Sequence, residues 1–142
     1  MRTYNRNLIV QLISQGLSPF IMLFGLYVIF HGHSSPGGGF QGGTLLAASV
    51  ILTRLSSGYR VSQFQFRQEW GTPLGSAGVL IYFMTGFVAV LNGGNFLDYH
   101  HLPWSADPSQ LRSAGIMLVE IGVGLAVMAL LVAIYDDLLE GR

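Results

Sequence analysis

Four long stretches of this chain carry almost no charge, and that restricts its fold more than any motif does. Asn7–Phe30 and Ser34–Thr53 are free of charged residues, Gly71–Leu97 is uncharged over 27 residues, and Ser113–Tyr135 contains one acid, Glu120. Crossing the hydrocarbon core of a bilayer takes roughly 20 residues of helix at about 1.5 Å each. Each stretch meets that length. A water-soluble domain normally carries about 25% charged residues; here 10% of 142 residues are charged and 51% are hydrophobic. Such a composition cannot cover a water-soluble surface, so lipid is the solvent it fits.

The spacing predicts an all-α integral membrane protein, with a single membrane domain over 1–142 and four transmembrane helices near 7–31, 39–57, 73–95 and 112–135. Seven arginines balance seven acids and lysine is absent, so no net basic field points to nucleic acid. There is no cysteine for a disulfide framework or a thiolate metal site. The start is basic, but the apolar stretch after it is too long for a cleaved signal and reads as a retained helix. Arg2, Arg6, Arg54, Arg60, Arg67 and Arg142 fall on one side of the spans and Arg112 alone on the other. By the positive-inside rule both termini are cytoplasmic.

Within the first span, Asn7, Gln11, Ser14, Gln15 and Ser18 recur at helical spacing as a polar stripe, opposite Leu8, Ile9, Leu12, Ile13 and Leu17. An uncharged polar face in lipid packs against protein more often than it faces lipid, so a neighbouring helix or a partner is expected there. Pro19 removes the hydrogen bond to the Gln15 carbonyl and predicts a bend near Gln15–Pro19. Small residues in the second span, Gly42, Gly43, Ala47 and Ala48, let another helix come close. Arg54, near that span's cytoplasmic end, is expected to snorkel to water. Asp136, Asp137 and Glu140 read as a solvated cytoplasmic end.

Three features are candidates for chemistry. The stretch HGHSSPGGGFQGG, His31 to Gly43, lacks the strand and the Gly-Lys-Ser/Thr ending of a phosphate loop. It reads as a packed turn at a membrane face. His31, His33, His100 and His101 all fall on the outer side, where they are weak candidates for collecting protons, and no metal site is assigned to them. Glu120 is the sharpest single residue, because an intramembrane acid is a functional candidate by default. Its own helix face, with Ser113, Met117, Val123, Gly124 and Val127, offers it no partner. Glu120 is therefore protonated, or meets a cation or partner from elsewhere, in an ion path or as a structural tie. No nucleophile–base constellation or cofactor motif stands out, and the chain reads as a membrane subunit rather than an enzyme.

At this point the stretch FGLYVIFHGHSSPGGGFQGGTLLAASVIL resembles the signature of the MnhB subunit of Mrp-type (Mnh) multisubunit sodium/proton antiporters. GGNFLDY at 93–99 and LVEIGVGLAVMALLVAIYDDL at 118–138 are similar to that family as well, while Ser56–Thr72 is the least family-like part. The family's motif falls on Pro36, Gly37, Gly38, Gly39, Phe40, Gly42 and Gly43, and the acid before a Gly-Val pair in the last helix falls on Glu120. The resemblance implies an accessory subunit in a prokaryotic cell membrane, held among the other subunits of a complex that exchanges Na+ for H+, with no cofactor of its own. A similar subunit in membrane-bound hydrogenases is the alternative setting.

Overall fold

The computed structural model describes residues 8–34, 37–104 and 107–140. Among them all regular structure is helical. Helix α1 is Leu8–Phe30, α2 is Gly38–Ser57, α3 is the single turn Tyr59–Ser62, α4 is Gly71–Leu91 and α5 is Pro108–Glu140, with short 3-10 turns at Gly32–Ser34, Gln68–Trp70 and Tyr99–His101. A long helix lies in each of the four charge-poor stretches, with bounds that differ from the expected ones at α4 and α5, and α1 remains helical on both sides of Pro19.

Local chemistry explains the ends. Gly37 opens α2 with φ at 89°, a left-handed conformation that glycine adopts without strain. Helix α4 stops before the expected 95 because Gly93, at φ 87°, starts a Schellman turn. There the Gly94 N–H donates to the Ala89 carbonyl and the Gly93 N–H to Val90, both at 3.0 Å. Pro108 begins α5, where a missing N–H costs nothing. The α5 helix then runs 33 residues, well beyond the expected 112–135.

The long helices stand in a row, α1 against α2, α2 against α5, and α5 against α4. Hydroxyls hold the first pair. Ser14 and Ser18, from the polar stripe of α1, are buried, and the Ser18 and Ser49 hydroxyls lie 2.7 Å apart. Thr53 donates to the Ser18 hydroxyl at 3.0 Å, and Gln15 donates to Ser57 at 2.9 Å. The stripe thus faces a neighbouring helix of the same chain; Asn7 lies outside the described residues. The opposite face, including Leu8, Ile9 and Ile13, is exposed.

Between α2 and α5 the backbones nearly touch. A side chain on Gly43 would come within 2.6 Å of the Gly124 carbonyl. Further along, Ala47, Val50, Phe66, Ala129 and Val132 form the buried apolar cluster. On the far side of α5, a side chain on Gly78 of α4 would meet the Gly122 carbonyl at 2.5 Å. Three stretches are long and apolar enough to cross a membrane among the described residues: Leu8–Phe30, Gln68–Leu91 and Pro108–Leu139. The second expected span is a helix of the right length but falls short in hydropathy. Its glycines, hydroxyls and Arg54 face α1 and α5, so packing requires small residues where lipid would require large apolar ones.

Two expectations fail at the same place. Arg54 does not snorkel, and Asp136 is not solvated: both are buried, and they form an ion pair. The extra length of α5 carries Asp136 alongside Arg54. Residues 58–70 then fold back over the pair, with Phe66 inserted into the apolar cluster. Arg54 donates through Nε to the Ser62 hydroxyl at 3.1 Å and through Nη2 to the Phe66 carbonyl at 3.0 Å. The Tyr59 ring covers the guanidinium at 5.4 Å. Removing one member of a dry ion pair strands the other charge, a loss of about 3–5 kcal/mol, whereas an apolar replacement of both is much milder. Asp136→Leu is expected to lower the thermal stability of the purified protein by about that amount. Arg54→Met with Asp136→Leu should recover most of it in the same melting experiment.

Candidate functional site

The glycine motif and Glu120 lie about 80 residues apart in sequence, and the fold brings them into contact. Helices α2 and α5 run parallel in their seam, with Gly39 against Glu120, Gly43 against Gly124 and Arg54 against Asp136. This register puts the Glu120 carboxylate at the opening of α2, between that helix and the turn from α1. A methyl group on Gly32 or Gly38 would collide with Glu120 Oε2, and one on Gly39 would collide with the Glu120 backbone. Glycine at these positions is therefore a requirement of space. Glu120 Oε2 is shut off from solvent and has no hydrogen-bond partner among the described residues.

Beside this carboxylate stands Tyr99, from the 3-10 turn between α4 and α5. Its ring packs on Gly115, where a side chain would come within 2.7 Å of Cγ. Burial, then the neighbouring Tyr82, then Glu120 push the Tyr99 phenol above its ordinary value of 10.0. Tyr99 therefore keeps its proton at neutral and mildly alkaline pH.

The four histidines do not form one cluster. His31 stacks on Tyr27 with ring centroids 4.1 Å apart. His101 pairs with Asp98 at 3.0 Å. His33 and His100 alone come together, on the walls of an open cleft of about 460 Å³ completed by Pro108, Ser109, Arg112, Ser113 and Ile116. Arg112, Ile116 and Glu120 repeat at four-residue intervals on one face of α5, so the floor of the cleft lies about one helical turn from Glu120. Pro36 of the motif lies outside the described residues, Phe40 is exposed, and Gly42 packs against Ile29 of α1.

Tyr99, Arg54 and Asp136 were not legible as site or partner residues. For the last two a signal existed. Gly39 to Arg54 is 15 residues and Glu120 to Asp136 is 16, nearly equal lengths of helix, so contact at one end implies contact at the other.

A chain of long apolar helices packed through small residues, with the shielded Oε2 of one glutamate set against a glycine turn, is a multi-pass membrane protein. It belongs to the MnhB family: the model for domains related to the MnhB subunit of Na+/H+ antiporters matches residues 9–133. Among curated proteins, an uncharacterized protein of Methanocaldococcus jannaschii is 32% identical over 126 residues, covering 85% of this chain and 48% of that protein. The B subunit of the Na+/H+ antiporter of Alkalihalophilus pseudofirmus is 32% identical over 117 residues, covering 76% of this chain and 80% of the relative. A Staphylococcus aureus protein named for antiporter subunit mnhB2 is 30% identical over 125 residues, covering 87% and 88%. The chain thus spans about half of the first relative and most of the other two.

The contact between Gly38 and Glu120 yields a direct prediction. Gly38→Ala forces a methyl group into the carboxylate and the Gly32 backbone, and overpacking of this kind costs about 1–3 kcal/mol. Gly16→Ala meets nothing within 4 Å and serves as the control. Melting of the purified protein should show a clear loss for the first variant and no loss for the second.

Proposed function

We propose that this chain is an accessory subunit of a multisubunit Na+/H+ antiporter in a prokaryotic cell membrane, and that Glu120 takes part in the proton side of the exchange. The first part rests on family membership over residues 9–133 and on the Alkalihalophilus relative, whose name is that of an antiporter subunit. In this reading all four long helices cross the bilayer with both termini on the cytoplasmic side. Helix α2 is shielded from lipid by α1 and α5, and the other subunits of the complex cover part of the exposed apolar surface. The glycine turn and the histidine cleft then lie at the outer face, and Arg54–Asp136 at the inner one.

One observation carries the role of Glu120: its Oε2 is dry and has no donor among the described residues. An uncompensated charge there costs several kcal/mol, and a proton or a cation delivered to the carboxylate removes that cost. Tyr99 beside it keeps its phenolic proton and so adds no second negative charge to the site. Packing and ion chemistry share the same atoms, because Gly38 and Gly39 are both the surface that receives α5 and the wall around the carboxylate. Glu120→Gln keeps the shape and removes the titratable group. In a complex verified to retain its other subunits, sodium-driven proton flux in vesicles should fall by roughly tenfold or more. Wild-type flux with an unchanged pH profile would leave only the packing role.

A further inference from the structure

The cleft above Glu120 has a charge pattern that transport of cations does not explain. Its walls carry the Arg112 guanidinium, two imidazoles from His33 and His100, and the hydroxyls of Ser109 and Ser113; among the described residues no acid lines it. Arg112 is exposed and makes no ion pair among the described residues, whose ion pairs are Arg54–Asp136 and His101–Asp98. Asp98, on the adjoining turn, contacts His101 Nδ1 at 3.0 Å and does not line the cleft. A permanent positive charge and four uncharged or titratable donors therefore converge on one concavity, and the acids nearest to it along α5, Asp107 before Pro108 and Glu120 one turn beyond Ile116, do not line it.

We propose that this cleft binds a phosphate group, supplied by the headgroup of an anionic phospholipid or by free phosphate. A guanidinium is suited to this task, since its planar fork meets two phosphate oxygens at once, and the hydroxyls and imidazole N–H groups can donate to the others. The volume, about 460 Å³, exceeds what a bare phosphate needs and leaves room for a glycerol backbone. Ile116 and Pro108 supply apolar surface beside the polar groups, as a site at the edge of a bilayer would require. An apolar contact of this kind favours the lipid over the free ion.

The two imidazoles make binding pH-dependent. The charged and titratable groups on the elements around them are Arg112 and Glu120 on α5, Asp98, Tyr99, His101 and Asp107 on the connection from α4, and His31 beyond the first turn. Protonation of His33 and His100 adds positive charge to the cleft, so affinity for a phosphodiester headgroup rises as pH falls.

The test uses the purified complex and two probes, a short-chain phosphatidylglycerol and inorganic phosphate, with short-chain phosphatidylcholine as the zwitterionic reference. Phosphatidylglycerol is expected to bind more tightly than phosphatidylcholine. Arg112→Gln should weaken phosphatidylglycerol binding about tenfold or more, and Arg112→Lys should restore part of it by keeping the charge. The double variant His33→Gln/His100→Gln should bind with little dependence on pH between about 5.5 and 7.5. Competition by inorganic phosphate at concentrations matching the lipid would assign the site to the free ion; weak competition would assign it to the headgroup. Both results support a phosphate site. Equal lipid binding by wild type and Arg112→Gln would overturn it, as would crosslinking of Arg112 to a carboxylate of another subunit that fills the cleft. None of these readouts depends on antiport, so the outcome stands apart from that of Glu120→Gln.

Discussion

The seam between α2 and α5 is the contact on which the rest of the structure depends. Two helices can meet backbone to backbone only where side chains are absent, and Gly39, Gly43 and Gly124 provide that absence. In lipid there is no hydrophobic force between helices, so the attraction comes from this close approach and from polar groups that find each other across it. Once α2 and α5 are in register, α1 has a hydroxyl-lined surface to join through Ser49 and Thr53, and α4 has the other side of α5 through Gly122. Most of α2 is thereby covered by its neighbours, and its composition follows.

The seam carries a charged group near each end, and the two ends are built on opposite principles. At one end Arg54 and Asp136 face each other in a dry site, with further donor groups of the guanidinium satisfied by Ser62 and the Phe66 carbonyl. This arrangement holds residues 58–70 against the bundle. At the other end, Glu120 presents an oxygen that is equally dry and has no donor among the described residues. Buried polar groups are normally satisfied, and the exceptions are where function concentrates. The contrast is the ground on which a structural role is proposed for Arg54–Asp136 and a chemical one for Glu120.

The helical class and the four long segments were legible in the sequence, because charge-free length is a local property, whereas the stop of α4 before Gly93 and both ends of α5 fell away from the expected positions. The polar stripe of α1 was also legible as a packing face, since its period belongs to one helix. Glu120 stood out for a similar reason: an acid in an apolar run is conspicuous without knowledge of its neighbours. What could not be read was who those neighbours are. The snorkelling expected of Arg54 is the ordinary behaviour of an arginine near a helix end. It fails here because α5 continues beyond Tyr135 and because residues 58–70 fold back to seal the site.

The same division applies to the candidate site. Sequence by itself determined that the chain is made of long membrane-compatible helices, that its glycines cluster at one turn, and that one acid lies within the last apolar run; each follows from residue type and spacing. Tertiary structure decided that the turn and the acid are one site, that only His33 and His100 of the four histidines share a cleft, and that Asp136 belongs to Arg54. These pairings depend on the register between helices distant in the chain. Register is set by how closely whole surfaces fit, a property that no single segment contains.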